Sequence, residues 1–261
     1  MKKPTLLIVF LTVFIDVVGF SIIFPLFPEM LDYYLKLDGK ESLIGSLVAW
    51  LDQFAGGDTN AVATLFGGVV GSLYGFLQFV FAPIWGAYSD RHGRRPTLVF
   101  TLGGIVLANL IWVFAGSFAL LVLGRALGGI MAGNISTASA VAADITTGKN
   151  RASGMIIIGV ALGLGFILGP AIGGFAYSWQ LVEPGKAVAG LALHPFSGPA
   201  IIALAIAGVI AYLLDPVVDW FQKKRGFKRQ NSIILVFGIA LLLVGGLVGS
   251  VVPPLIEQPT K

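Results

Sequence analysis

Long apolar runs separated by short polar stretches dominate this chain. A helix needs about 20 apolar residues to cross a bilayer. Seven runs approach or exceed that length, at roughly 5–28, 62–86, 97–116, 118–143, 152–177, 197–214 and 231–252. The third and fourth are separated only by about Ser117, which predicts a tight helical hairpin. Residues 29–61 form the one long early loop. Within it Leu43, Ile44, Leu47, Val48, Leu51 and Phe54 recur at helical spacing, with Ser46, Asp52 and Gln53 opposite. That pattern predicts an amphipathic helix too short to span, either lying on the membrane surface or packed on the bundle. The fold class expected is therefore an all-α integral membrane protein with about seven transmembrane helices.

Composition supports this class. The 261 residues are 56% hydrophobic and 11% charged, against about 25% charged in soluble proteins. Mean hydropathy is +0.90. A pI of about 9.4 raises nucleic acid as a partner, but the basic residues lie in short loops between apolar runs, so none is expected. There is no Cys, hence no disulfide framework and no thiolate metal site. The first run is too long for a cleavable signal and contains Asp16. Metalloprotease, P-loop and nucleophile-elbow patterns are absent, so no enzyme activity and no cofactor are expected. His92 reads as a loop residue, and His194, before Pro195, as helix-start chemistry.

The lysines and arginines set the orientation. With the N-terminus in the cytoplasm, 12 of the 17 fall on the inner side, Lys36, Lys40, Lys186 and Lys261 on the outer side, and Arg125 within a span. The bias places the N-terminus inside. Seven spans would then place the C-terminus outside.

Two ionisable residues fall within spans. A central Asp or Arg costs about 2.5–3.5 kcal/mol on insertion scales. Asp16 lies in Phe14-Ile15-Asp16-Val17, with Pro25 and Pro28 following, and Arg125 lies in Leu123-Gly124-Arg125-Ala126. Each needs a partner, a cavity or a neighbouring helix. Two kinds of reading stay open: a substrate or proton pathway, or a structural role, either as a buried ion pair or with Arg125 reaching to the outer interface. Gly67, Gly71 and Gly75 recur every fourth residue, as do Gly124, Gly128 and Ala132, and Gly165, Gly169 and Gly173. Such stripes let helix backbones approach closely.

Residues 86–97 carry chemistry of a different kind. Gly86, Asp90, Arg91, Gly93, Arg94 and Arg95 sit at the spacing G-x-[LAY]-[SA]-D-[RK]-x-G-[RK]-[RK]. This resembles the signature loop between the second and third helices of the major facilitator superfamily. Gly165, Gly169, Pro170, Gly173 and Gly174 resemble that superfamily's antiporter motif. Asp16, Gly19, Pro25 and Pro28 are similar to the first-helix pattern of its drug/proton antiporters, including tetracycline-type exporters. Arg125 with Gly129 is similar to their fourth-helix basic motif. Asp144 and Arg151 are similar to charged positions paired near the signature loop.

The resemblance covers residues 1 to about 200. It implies a helical half-bundle that exchanges a small molecule for protons by alternating access, in the plasma or inner membrane. Asp16 and Arg125 would lie on the proton and substrate pathway, residues 86–95 would gate the cytoplasmic face, and Pro170 would kink the fifth helix. Intact members have two six-helix halves with the cavity between them. A homodimer or a second half-transporter is therefore the implied partner, besides the lipid bilayer, the small-molecule substrate and protons. Residues 201–261, with Asp215-Pro216, Asp219-Trp220 and Lys223-Lys224-Arg225, are similar to the start of the autoinducer-2 exporter family. Two incomplete resemblances meeting near residues 195–210 point to a fusion or a shortened reading frame; the competing view is a half-sized facilitator with an added seventh helix. On either view, the faces carrying Asp16, Arg125 and the Gly165–Gly174 stripe would be bare without a second bundle.

The charge bias makes a direct prediction. Single cysteines at Ser89 and Lys149 should resist an impermeant thiol reagent in intact cells, and those at Lys186 and Thr260 should react. The native chain supplies no background thiol. Reaction at Ser89 in sealed cells would reverse the orientation.

Overall fold

The computed structural model describes residues 6–146, 151–178 and 193–213. The helices are α1 (Leu6–Ser21), α2 (Phe27–Asp38), α3 (Leu43–Ala55), α4 (Thr59–His92), α5 (Arg94–Val113), α6 (Phe118–Met131), α7 (Asn134–Ile145), α8 (Arg151–Tyr177) and α9 (Ser197–Leu213). By length and hydropathy five segments can cross a membrane: Val9–Asp38, Thr59–His92, Pro96–Val113, Phe118–Asp144 and Ala152–Tyr177. Ser197–Gly208 is a shorter apolar helix. The seventh expected span, 231–252, and the whole segment from 214 onward lie outside the described residues.

Two spans are broken where the apolar pattern is continuous. The first bends through a 3-10 turn, Phe24–Leu26, before α2. Pro25 and Pro28 supply no backbone N–H, so a continuous helix is unfavourable there. The break lets the span run on to Asp38. The fourth is interrupted at Ala132–Gly133, between α6 and α7. Carbonyls freed in an apolar slab need donors from elsewhere. Here α4 provides them: Trp85 Nε1–H donates to the Ile130 carbonyl at 2.6 Å, and Gln78 Nε2 to that of Ala132 at 3.3 Å.

The helix between the first two spans forms as expected. Ser42 caps α3, accepting from the Gly45 N–H at 3.4 Å, and Gly56 ends it in the left-handed region at φ 62°. The helix packs on α4 through Ile44 and Leu51, which are buried. Leu43, Trp50 and Phe54 form a neighbouring stripe that stays exposed.

The bundle has two packed ends. At one, Met30, Tyr34, Phe66, Trp112, Phe118 and Phe196 interlock. At the other, Val9, Val13 and Val17 of α1 meet Ala138 and Ala142 of α7 and Ile158 and Ala161 of α8. Dispersion and close fit hold such contacts, because lipid is as apolar as the side chains.

The first end is stitched by hydrogen bonds at the close of α5. Its last carbonyls lack the regular helical donors, and only turn bonds from Phe114 N–H to Ile111 O at 3.2 Å and from Ala115 N–H to Trp112 O at 3.1 Å replace them locally. His194 Nε2–H donates to Trp112 O at 2.8 Å, the Ser197 hydroxyl to Val113 O at 2.7 Å, and the Tyr34 hydroxyl to Ala115 O at 2.7 Å. Asp38 Oδ2 accepts from the Phe118 N–H at 2.8 Å, capping α6.

His194 is fully buried and makes no ion pair among the described residues. Burial pushes its imidazole down from 6.5 to about 4. The folded state thus disfavours the proton that the unfolded chain accepts. The stabilisation is full above pH 6.5 and is lost as pH falls towards 4, by about 3 kcal/mol in all. Melting of the detergent-solubilised protein should show this acid-side loss. His194→Gln, which cannot protonate, should lessen the slope between pH 6.5 and 4 while lowering stability only modestly at pH 7.5.

Candidate functional site

Between the two packed ends lies a narrow cleft of about 20 Å³. Asp16 and Phe20 of α1, Tyr74 of α4, Asn109 of α5, Arg125 of α6 and Ala203 of α9 are among the residues that line it. The two ionisable residues singled out in the sequence thus face one cavity. Asp16 is 7% exposed and Arg125 4%. The expectation that both would be bare without a second bundle is overturned, because α4, α5 and α9 close over them.

The Arg125 guanidinium is held by aromatic faces. Its Cζ lies 4.6 Å from the Trp112 ring centre and 5.7 Å from that of Tyr74. A desolvated cation over an indole gains about 2 kcal/mol or more. Its Nε finds no hydrogen-bond acceptor among the described residues. Tyr74 lies within electrostatic reach of both Asp16 and Arg125. Asn109 Nδ2 donates to the Ala203 carbonyl at 3.4 Å, tying α5 to α9 across the cleft. An aromatic cluster adjoins it: Phe20 lies 4.7 Å from Tyr74, 5.1 Å from Phe24 and 6.1 Å from Phe166.

Residues 86–95 are more helical than the expected loop. Helix α4 runs to His92 and α5 starts at Arg94, so Gly93 alone makes the turn. Its φ of 97° is a conformation that L side chains rarely adopt, which is why glycine is required. Arg94 is bridged to Asp90 one turn earlier and to Asp144 Oδ2 of α7 at 3.3 Å. It also donates to Ser89 Oγ at 2.7 Å. Ser89 in turn donates to the carbonyl of Gly86. Arg91 points outward, exposed. The side chains of Arg95 and Arg151 lie outside the described residues. Arg94 thus ties the signature segment to Asp144 of α7.

The α8 glycines serve packing against α1. A Cβ at Gly165 would lie 2.7 Å from Val17 Cβ, one at Gly169 would overlap the Ser21 hydroxyl, and one at Gly173 would overlap the Ile22 carbonyl. The stripe is thus covered within this bundle, contrary to the expectation that it would lie bare. Gly174 alone of the motif glycines meets nothing within 4 Å. Helix α8 continues through Pro170. On α6, Gly128 and Gly129 receive Tyr74 and Gly133 receives the Trp85 side chain. Of the α4 stripe only Gly67 is a close approach, to Phe27, whereas Gly71 and Gly75 have open space.

Tyr74, Asn109 and Trp112 carried no signal in the sequence. Each is one aromatic or amide side chain in an apolar run, and only the fold gathers them around Arg125.

A sequence model of the Major Facilitator Superfamily matches residues 9–257. The chain belongs to the Major Facilitator Superfamily. It is therefore a multi-pass membrane protein of a transporter family. It is 38% identical over 173 residues to the bovine (Bos taurus) Major facilitator superfamily domain-containing protein 10, covering 64% of this chain and 38% of that protein. It is 32% identical over 218 residues to the class B tetracycline resistance protein of Escherichia coli, covering 84% and 44%. The crystal structure of the human organic anion transporter MFSD10 (TETRAN) matches with a TM-score of 0.68 at 32% identity, covering 80% of this chain and 46% of that one. The chain thus spans less than half the length of these curated relatives.

The facilitator motif on α8 can be tested by its own asymmetry. Gly173→Ala drives a methyl into a main-chain carbonyl and should cost about 1–3 kcal/mol. Gly174→Ala, with open space, should be neutral or stabilise by up to about 1 kcal/mol through helix propensity. Thermal unfolding in detergent would separate them, and equal effects would discount the α1–α8 contact.

Proposed function

We propose that this chain forms the half-bundle of a proton-coupled facilitator that exports a small molecule across the plasma or inner membrane, with the N-terminus in the cytoplasm. The observation that carries the reading is the shared cavity of Asp16, Tyr74 and Arg125. A carboxyl enclosed in a poorly hydrated cleft is suited to exchange protons near neutral pH. Asp16 takes and releases the proton, Arg125 biases that step by its fixed charge, and Tyr74 lies between them in electrostatic terms. The aromatic lining suits a small amphipathic molecule. The relatives, tetracycline resistance proteins and an organic anion transporter, support export of such molecules.

Asp90, Arg94 and Asp144 act as the cytoplasmic latch, and Gly169 with Pro170 as the part of α8 that moves against α1. Alternating access needs two bundles around one site. A second bundle, from a second copy or another half, completes the cavity. Catalysis of a chemical reaction is not part of this reading. A second reading, a membrane subunit that does not itself transport, is favoured by the partial coverage of the relatives.

The test is tetracycline uptake into everted vesicles from cells making the chain, with an acid-inside gradient imposed. Gradient-driven uptake should be lost in Asp16→Asn at unchanged membrane content. Undiminished uptake in that variant would remove Asp16 from the proton pathway. An inserted chain that moves nothing under any gradient would favour the second reading.

A further inference from the structure

The cavity cation depends on a residue at the far end of the bundle. Trp112 is fully buried beneath Arg125. Its own indole N–H finds no acceptor among the described residues. No hydrogen bond of its side chain therefore fixes the ring; the backbone that carries it must. Trp112 is the penultimate residue of α5; its carbonyl takes one turn bond, from the Ala115 N–H at 3.1 Å, and it and the Val113 carbonyl take their further donors from another segment.

His194 and Ser197 supply them from the chain leading into α9. The Phe196 N–H donates to His194 Nδ1 at 3.3 Å, which leaves Nε2 as the protonated nitrogen that donates to Trp112 O. The His194 N–H donates to Ser197 Oγ at 2.9 Å, and that hydroxyl donates onward to Val113 O. The rings of Tyr33, Tyr34 and Phe196 surround the imidazole with centres 5.9–6.4 Å away. On the α6 side, Gly124 lets the helices close: a Cβ there would lie 3.1 Å from Ala108 O and 3.6 Å from Trp112 N. One residue further along α6 is Arg125.

We propose that His194, seconded by Ser197, is a positioning residue for Arg125. It pins the end of α5 so that the Trp112 indole covers the guanidinium. The inference rests on the reading of Arg125 as the cation of a transport cavity, but the contact it invokes can be measured without transport. Were His194 merely a cap, its loss would lower stability and leave the indole where it is. Under the proposal its loss uncovers the cation.

Trp112 emission reports the contact. The difference between the chain and its Trp112→Phe variant isolates that fluorophore from the other four tryptophans. Arg125→Gln should change the isolated emission, since an adjacent cation perturbs the indole excited state. The response to Arg125→Gln should be lost in a His194→Leu background. It should persist with His194→Gln, whose amide N–H can replace the Nε2 donor. Full persistence in the leucine variant overturns the proposal, as does loss in the glutamine variant when the protein is folded. Where His194→Leu fails to fold, Ser197→Ala carries the same test: a reduced response supports the proposal and an unchanged one refutes it. Failure here leaves the Asp16 efflux result untouched, and an absence of transport leaves this measurement valid.

Discussion

No backbone polar group can be left open inside an apolar slab, and this single constraint organises the bundle. Helices meet it along their length but not at their ends or breaks. At several such places in the described spans, side chains from another segment step in. Trp85 and Gln78 of α4 serve the break between α6 and α7. Tyr34, His194 and Ser197 serve the end of α5, and Asp38 serves the start of α6. These bonds run between segments distant in sequence. They fix which helix ends meet, and so give the bundle directional contacts that apolar packing alone lacks.

The second constraint is distance of approach. Gly165, Gly169 and Gly173 let α8 lie against the α1 backbone, so closely that any side chain would enter α1 itself. The Ser21 hydroxyl sits in this seam, donating to Val17 O at 2.8 Å and Gly165 O at 3.1 Å. Two helices held by small residues and few polar bonds can shift along one another with little change in contact area. Gly133 plays a different part: its missing side chain houses the Trp85 ring whose N–H secures the break. One glycine stripe thus serves approach, while an isolated glycine serves a lock.

Much of this was legible in the chain. Apolar runs located the spans, because length and hydropathy suffice for that. Asp16 and Arg125 stood out since ionised groups are costly in such runs, and the fold does bring them to one cavity. The prolines at 25 and 28 lie where the first run was expected to end, whereas the span continues through a break there to Asp38. The break at Ala132–Gly133 was not legible, because no proline marks it and alanine and glycine fit a packed helix equally well. Tyr74, Trp112 and His194 were silent for a related reason. Aromatic residues in a membrane helix read alike whether they face lipid, core or cation. Only positions 74, 112, 125 and 194 meeting in space give them meaning.

The way Arg125 is held bears on what the cavity can do. A guanidinium stays protonated under any physiological condition. A cation held by an ion pair alone loses its compensation with the partner's charge, at several kcal/mol. The faces of Trp112 and Tyr74 have no such dependence, because a ring quadrupole does not titrate as a carboxylate does. That share of the stabilisation of Arg125 persists whatever the protonation state of Asp16. A proton gained or lost at Asp16 then changes the net charge of the cavity by a full unit without dismantling the site. In a cleft of low polarity one unit of charge alters the affinity for a charged or strongly dipolar cargo steeply. Under the proposed function, protonation and cargo binding would be linked through charge, with the aromatic contacts to Arg125 present in both states.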